Sequence, residues 1–476
     1  MDATTQRIAR YVVAAEFDRF PKQAVHECRR RVIDTVACAA GAYNEPFCAV
    51  IRNVAGRYSG APSARIWGSG VRTSCEMATF ANGVMLRYLD FSDTYLSRSN
   101  GHPSDMIGAL VALGEAFDRS GKELVTAVVV AYEVYCSLCD CVSLAERAID
   151  QGTCAAVGAA AGGARLLAFS EAQTGQAVSL ALSSNLHLFN VRTGKLSDWK
   201  GCAGPNGARN GVFAALLAGE GVTGPTAVVE GKGGLRDVVG DFDWQVGARE
   251  MPLIVGTHLK FYPVCYHGQA AVDATLALRE KVRVEDISVI EVETYDAAFR
   301  TMGSDPERWA PTNRETADHS LAYTIAVSLL HGRLTSADYS EERLRDPQTK
   351  RVMDRIRVES SAELSKAYPA HAQTRLTIHT AGGNVFTHLQ ADPKGNALNP
   401  LSDRELESKF FELYQPWGDA AAALRTLETL WSVDRLASVT QLVDSLVETT
   451  NCRPEETDAV SRCVNSAMTV SQKSLA

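Results

Sequence analysis

The stretch NGVMLRYLDFSDTYLSRSNGHPSDMIGALVALGE, residues 82–115, contains the signals around which the rest of the chain is organised. It opens with apolar residues at helical spacing, breaks into a polar segment, and returns to an apolar run after Pro103. Proline just inside a helix is a start signal, because the N–H that it lacks would have no partner in the first turn. His102 therefore stands directly before a predicted helix N-terminus, where backbone N–H groups and the helix dipole favour an anion. Together with Asp90 and Thr94 it marks a candidate site, although such residues are also ordinary helix caps.

A second polar interruption follows at residues 195–225, KLSDWKGCAGPNGARNGVFAALLAGEGVTGP. Its glycines predict a loop before a helix over residues 208–218, which would place Lys200 and Arg209 near another helix start. The spacing does not match a phosphate-binding loop, so a small anion such as a carboxylate fits better than a nucleotide. The alternative is a glycine-rich turn with solvated cations.

A third polar cluster lies in HLKFYPVCYHGQAAVDATLALRE, residues 258–280, before a helix predicted to begin near Ala270. Its candidate side chains are Lys260, Tyr266, His267 and Gln269. One polar cluster before a helix is a cap. Three of them in a helical protein predict a shared pocket built from helix N-termini.

The periodicity divides the chain into three parts. Residues 1–272 carry mostly helical signals, whereas residues 273–400 include an alternating strand pattern and a hairpin signal at Ala-Gly-Gly-Asn. Helical spacing returns at residues 401–476, with helices to about Thr449 and a loose polar tail. The sequence therefore predicts a mainly α protein: a large all-helical domain formed by both chain ends, with a smaller α+β lid domain inserted between them.

Composition narrows the function class. The chain has 476 residues, 46% of them apolar and 22% charged, and a net charge of −8, which argues against nucleic acid as a partner. We find no signal-peptide pattern and no apolar run of membrane-spanning length, so a cytoplasmic protein without a membrane partner is expected. The twelve cysteines are scattered, as is typical of reduced thiols. Cys136, Cys139 and Cys141 are the only metal candidates, and their apolar helical context favours burial over zinc.

Five quoted stretches together resemble the MmgE/PrpD family, and most of all its 2-methylcitrate dehydratase branch. They are DTVACAAGA (34–42), LDFSDTYLSRSNGHPSD (89–105), DWKGCAGPNGARNG (198–211), KFYPVCYHGQAAVDA (260–274) and HSLAYTIAVSLLHGRLTSADY (319–339). The resemblance implies a helical domain with a smaller α/β lid. It also implies a homodimer that acts on small di- or tricarboxylates without metal, nucleotide or flavin, and a role in propionate metabolism.

Carried over by position, the family's site pattern falls on a defined set of residues. They are Asp90, Thr94, His102 and Lys200, with His267 in the dehydratase-like spacing and Tyr323 as a further position. Many members, the decarboxylases among them, have a histidine where this chain has Gln151. A second histidine position of that branch meets Gln269 here, while His267 matches the dehydratase form.

The resemblance implies β-elimination of water from a hydroxylated polycarboxylate such as 2-methylcitrate. Such chemistry needs a base, an acid and cations to neutralise a dianion, and we expect Lys200 and Lys260 to be the cations. His102 and His267 are the expected acid and base, in either order. Asp90 is expected to orient a histidine, and Thr94 to contact a carboxylate. Three alternatives remain open: an epimerase, a decarboxylase of an unsaturated tricarboxylate, and a non-catalytic carboxylate-binding protein.

Overall fold

A computed structural model describes residues 1–447 of the chain and confirms that this part is mainly α-helical. The first helices are α1 Ala3–Ala14, α2 Lys22–Gly41, α3 Pro46–Ala55, α4 Cys75–Tyr88, α5 Ile107–Ala116, α6 Gly121–Cys141, α7 Gly152–Leu166, α8 Glu171–Ser184, α9 Trp199–Gly219, α10 Leu235–Val239 and α11 Tyr266–Arg279. The later helices are α12 Asp296–Met302, α13 Arg314–Ala317, α14 Leu321–His331, α15 Glu341–Leu344, α16 Pro347–Met353, α17 Ala362–Ala367, α18 Asp403–Tyr414, α19 Ala420–Trp431 and α20 Val439–Val447. The predicted helix end near Thr449 and the predicted loose tail lie outside the described residues.

Buried apolar side chains form separate cores that follow the division seen in the sequence. The largest core joins residues 8–259 to residues 401–446, so both ends of the described chain contribute to it. A second core is formed by residues 264–378 and contains the sheet. The domain boundaries at 272 and 400 stay a prediction, as does the movement of the smaller part as a lid.

The four-stranded sheet has the order β4-β3-β5-β6 and lies in the second core. Its strands are β3 Ile287–Thr294, β4 Ile356–Ser360, β5 Thr374–Thr380 and β6 Val385–Gln390. Two further strands, β1 Ser63–Arg65 and β2 Arg72–Ser74, form a small antiparallel ladder. Strand β3 pairs in parallel with β4 and antiparallel with β5. The predicted alternation is confirmed, because Ile290 and Val292 are buried while Glu291 is exposed.

Small residues bring the long helices of the first core close together. A Cβ on Gly207 would come within 2.1 Å of the Gly152 carbonyl oxygen, and one on Gly211 within 2.3 Å of the Ala156 oxygen. Helices α7 and α9 therefore pack backbone to backbone, which a larger side chain at either glycine would prevent.

Helix α9 begins at Trp199, so the predicted loop before residue 208 is wrong. Pro205 lies inside the helix, where its ring packs against α4: a Cβ on Gly83 would be 2.8 Å from the Pro205 Cβ. Tertiary packing has thus overridden the local loop signal of glycine and proline. As a result Lys200 lies in the first turn and Arg209 in the middle of the helix.

Helix α6 corrects another expectation. The helix has 21 residues, and its most apolar 18-residue stretch has a mean hydropathy of 1.6, so by length and composition it could cross a membrane. However, 89% of that stretch is buried inside the protein. A buried core helix passes the same test, so α6 is weak evidence for a membrane span. Its Cys136 and Cys139 are buried and free, as the sequence predicts.

Candidate active site

A cleft of about 1300 Å³ brings together residues from the first and third polar clusters. The predicted site residues that line it are Asp90, Thr94, His102, Gln151, Tyr266 and His267. Tyr295 and Tyr368, from the sheet-containing part, line the same cleft. The first and third clusters therefore share one cleft in the described structure, whereas no residue of the second cluster, 195–225, lines it.

His102 is held by backbone contacts on one side of its ring. Its Nδ1 lies 2.7 Å from the Asp93 carbonyl oxygen, which can only accept, so Nδ1 carries the proton and Nε2 keeps a free lone pair. Its backbone N–H donates to Tyr135 Oη at 2.9 Å and to Gln151 Oε1 at 3.1 Å. Burial, helped by the positive charges of Arg87 and Lys260, holds the pKa of His102 well below its ordinary value. The ring is therefore neutral and can accept a proton.

Asp93 orients His102, a role that the sequence analysis predicted for Asp90. Besides orienting His102 through its carbonyl group, it accepts hydrogen bonds on its carboxylate from the Ser104 N–H at 3.0 Å and from Tyr132 Oη at 2.8 Å. The helix start after Pro103 is thus capped by the protein's own carboxylate. The expectation that this N-terminus is free for a substrate anion is wrong.

Asp90 instead lies at the centre of a buried cluster of cations. Its carboxylate accepts from Arg87 Nη1 at 2.5 Å and from Lys260 Nζ at 2.8 Å, with Lys200 Nζ at 3.4 Å. Burial alone would raise the pKa of Asp90, but Lys200, Lys260 and Arg87 hold it well below its ordinary value. Its φ of +49° is a conformation that aspartate tolerates better than most residues.

Lys200 and Lys260 support the cleft from behind, since neither belongs to its lining. Lys200 Nζ lies 2.9 Å from Glu315 Oε2 and 3.4 Å from Asp318 Oδ1. Burial opposes its charge, but Asp318, Asp90 and Glu315 raise the pKa of Lys200. Both lysines therefore form ion pairs beneath the cleft, and neither side chain reaches its surface.

His267, in the first turn of α11, has the opposite arrangement to His102. Its Nδ1 lies 2.6 Å from Tyr295 Oη. Burial raises the pKa of Tyr295 well above its ordinary value, so the phenol keeps its proton and donates it to Nδ1. Burial, together with His319 and Lys260, lowers the pKa of His267 to about 3. The neutral ring then carries its proton on Nε2, as a hydrogen-bond donor.

Besides Lys200 and Lys260, three further predicted site residues do not line the cleft. The Gln269 amide is engaged by backbone groups of the preceding turn, with Oε1 3.2 Å from the Tyr262 nitrogen and Nε2 2.8 Å from the Tyr262 oxygen. The Tyr323 hydroxyl donates to the Asp338 carbonyl at 2.5 Å, inside the second core. Arg209 lies within α9, away from the cleft. Their predicted substrate contacts stay predictions that the lining of this cleft does not support.

The residues that were missed from the sequence include Arg87, Asp318 and His319. Arg87 is hidden in the apolar helical run of α4. His319 lines the cleft and precedes α14, whose N-cap is Ser320. The sequence Asp-His-Ser before an apolar helix repeats the pattern of the three recognised polar clusters, and it could have revealed this fourth one.

Asp90, Cys265 and His319 place one ligand atom each within 4.8 Å of one another, the only such group found among residues 1–447. They are a poor match for a metal ion. The Asp90 carboxylate is already paired with cations, and burial raises the pKa of the Cys265 thiol to about 11, so it is protonated at neutral pH. The group fits a network of ion pairs better than a metal centre.

Comparison with known proteins covers most of the chain. The MmgE/PrpD N-terminal domain matches residues 6–246, and the MmgE/PrpD C-terminal domain matches residues 262–434. The 2-methylcitrate dehydratase of Cupriavidus necator is 28% identical over 77% of this chain and 80% of its own length. That of Salmonella typhimurium is 27% identical over 70% and 72%. The cis-aconitate decarboxylase of Homo sapiens is 23% identical over 86% and 87%.

Proposed function

The chain belongs to the MmgE/PrpD family, and we propose that it is a cofactor-independent hydro-lyase that removes water from a small hydroxy-polycarboxylate such as 2-methylcitrate. The observation that carries the proposal is His102: a neutral imidazole in the cleft, with Nδ1 fixed on the Asp93 carbonyl and Nε2 free. This tautomer makes His102 the base that removes a proton next to a substrate carboxylate.

Loss of that proton adds negative charge to the substrate carboxylate, which must be stabilised. The Nε2–H of His267 can donate a hydrogen bond to this carboxylate without losing its proton. Neutral imidazoles stabilise developing oxyanions in this way in other enzymes. Tyr266 supplies a second donor, because its hydroxyl oxygen accepts from Asn396 Nδ2 at 2.9 Å and its own proton remains available. Arg87 and the half-buried Arg192 line the same cleft and supply positive charge.

Thr94 and Gln151 have supporting roles in this proposal. The Thr94 hydroxyl donates to the Gly101 carbonyl at 3.0 Å, so its proton is not available to a carboxylate. Gln151 Oε1 accepts from the backbone of His102, and a side-chain amide neither gains nor loses a proton at neutral pH. Both residues hold the loop that carries His102. The glutamine at position 151 also argues against the decarboxylase alternative, because the decarboxylases of the family have a histidine there.

The test is to incubate chelator-treated protein with the isomers of 2-methylcitrate in D₂O and to follow the reaction by NMR. Appearance of a methyl-aconitate supports the hydro-lyase. Deuterium exchange without loss of water would make the protein an epimerase, and release of CO₂ from cis-aconitate a decarboxylase. Measurable binding of tri- and dicarboxylates without any reaction would favour the carboxylate-binding alternative.

We also propose a cytoplasmic homodimer with a mobile lid. Trp199, Phe213 and Leu188 are large apolar side chains that are 48%, 52% and 68% exposed, as at a subunit interface. The ten cysteines of residues 1–447 are all free, in keeping with a reducing compartment. Light scattering of Phe213→Glu tests the dimer, which this change should dissociate.

The lid is supported by one contact between the sheet-containing part and the polar loop. Tyr368 Oη donates to Asn100 Oδ1 at 2.8 Å, and closure of the lid would form this hydrogen bond.

A further inference from the structure

Elimination of water requires a proton for the departing hydroxyl group, and neither assigned histidine supplies it. His102 begins the reaction without a proton on Nε2, since it is the base. His267 is a neutral ring backed by Tyr295, a phenol whose raised pKa makes it a poor proton source. The described part of the cleft lining contains one further imidazole, His319.

His319 is joined to a buried carboxyl group. Its Nδ1 lies 2.5 Å from Asp318 Oδ1, and Asp318 is fully buried. The other ring nitrogen, Nε2, makes no hydrogen bond to residues 1–447, and the His319 side chain lines the cleft. Asp318 Oδ2 is buried and also lacks a hydrogen-bond partner in this structure. The pair therefore connects an enclosed carboxyl group to the cleft through one ring.

We propose that His319, supplied by Asp318, is the acid that converts the departing hydroxyl group into water. This inference rests on the proposed hydro-lyase function. His319 is the catalytic residue, because it would touch the leaving group, and Asp318 acts through it.

The proposed step is balanced in protons and electrons. His102 Nε2 takes the proton from carbon, and the electron pair of that C–H bond forms the new C=C bond. The C–O bond breaks with its electron pair on oxygen, which takes the proton from His319 Nε2. As this proton leaves, Nδ1 of His319 takes the carboxyl proton of Asp318. Solvent restores the starting state by removing the proton from His102 and protonating His319 Nε2 in the cleft, while the Nδ1 proton returns to Asp318.

The surroundings of Asp318 bring its protonation within reach near neutral pH. Burial raises the pKa of Asp318 to about 6, although Lys200 opposes the shift, so about a tenth of the molecules carry this proton at pH 7. The other charged groups that act on Asp318 are Asp90, Arg314 and Lys260. Lys200 pairs with three acidic groups at once, Asp90, Glu315 and Asp318, which leaves one of them able to be neutral without an unpaired lysine.

The experiment compares two leaving groups on the same enzyme. One substrate is the hydroxy-polycarboxylate that the wild type dehydrates, and the other is its analogue with chlorine in place of the hydroxyl. Chloride leaves as a stable anion and needs no acid. The variants are His319→Gln and Asp318→Asn, with His102→Gln as the base-deficient comparison. His379→Gln is the control, since His379 pairs with Glu291 on the exposed face of the sheet.

The proposal expects His319→Gln to lower kcat for loss of water by about 10²–10⁴-fold while kcat for loss of chloride changes less than about fivefold. Asp318→Asn should show the same selectivity with a smaller loss, and His102→Gln should abolish both reactions. Retained chloride elimination also proves that the variant is folded. Equal losses for both leaving groups, or normal dehydration by His319→Gln, would overturn the inference while leaving the hydro-lyase intact. A wild type that releases neither water nor chloride would overturn the proposed function itself.

Discussion

Replacing Lys260 by methionine tests whether the buried charge cluster is held together as the structure indicates. Lys260 is fully buried, and its Nζ donates to the Asp90 carboxylate at 2.8 Å and to the Asp90 carbonyl at 2.7 Å. Hydrogen bonds involving a charged group contribute about 1.5–3 kcal/mol each, and removing one partner of a buried ion pair costs about 3–5 kcal/mol. Because Lys200 and Arg87 still neutralise Asp90, we expect the lower end, a loss of about 3 kcal/mol.

The free energy of unfolding is measured by urea denaturation, with circular dichroism and tryptophan fluorescence as parallel probes. Lys350→Met is the matched control: Lys350 pairs with Asp354 four residues along, both side chains are more than half exposed, and such pairs contribute about 0.3–0.5 kcal/mol. The double variant Lys260→Met/Asp90→Asn should be more stable than the sum of the single losses predicts, by about 1–3 kcal/mol. Additive losses, or a Lys260→Met protein as stable as the control variant, would refute the reasoning.

Three further predictions concern the groups around the cleft. Asp93→Asn should lower kcat about 10-fold or more, because the amide nitrogen cannot accept from Tyr132 Oη and the segment that orients His102 must shift. Steady-state kinetics measures this loss, and an unchanged kcat would show that Asp93 has no role in catalysis. Tyr295→Phe should lower kcat without loss of fold, because His267 loses the donor that fixes its tautomer; normal turnover would argue against the assigned donor role. Burial raises the pKa of Asp105 to about 7, against an ordinary value of 3.8, so its contribution to stability is complete below pH 4 and is lost as the pH rises through 7. Urea denaturation from pH 5 to 8 should therefore show falling stability that Asp105→Asn flattens, by at most about 3 kcal/mol for the roughly two pH units between 5 and 7; a slope unchanged in the variant would exclude Asp105 as its source.

Local signals in the sequence predicted most of the elements correctly. Ser402 caps α18 with a capping box to Glu405, as its Ser-x-x-Glu spacing indicates. The alternation in β3 and the hairpin at Gly383, whose φ is +81°, also follow from residues close together in the chain. Such signals suffice because caps, turns and periodic faces depend on neighbours within a few residues.

The site was predicted only in outline. The sequence placed Asp90, His102 and His267 in one pocket, and the structure places all three along one cleft. It could not tell which of two aspartates three positions apart would orient His102, because that depends on which way the polar segment turns. In the structure the Asp93 carbonyl orients His102, while the carboxylate of Asp90, whose backbone is left-handed, lies in the cation cluster.

The sequence by itself therefore determined the helical character, the strand pattern and two of the polar segments from which the cleft is built. Only the tertiary structure decided the partners of the charged groups: Lys260 reaches Asp90 across 170 residues, and Lys200 reaches Asp90 across 110. No periodicity relates positions so far apart. A charge removed from water must find an opposite charge nearby, and packing alone decides which one is within reach.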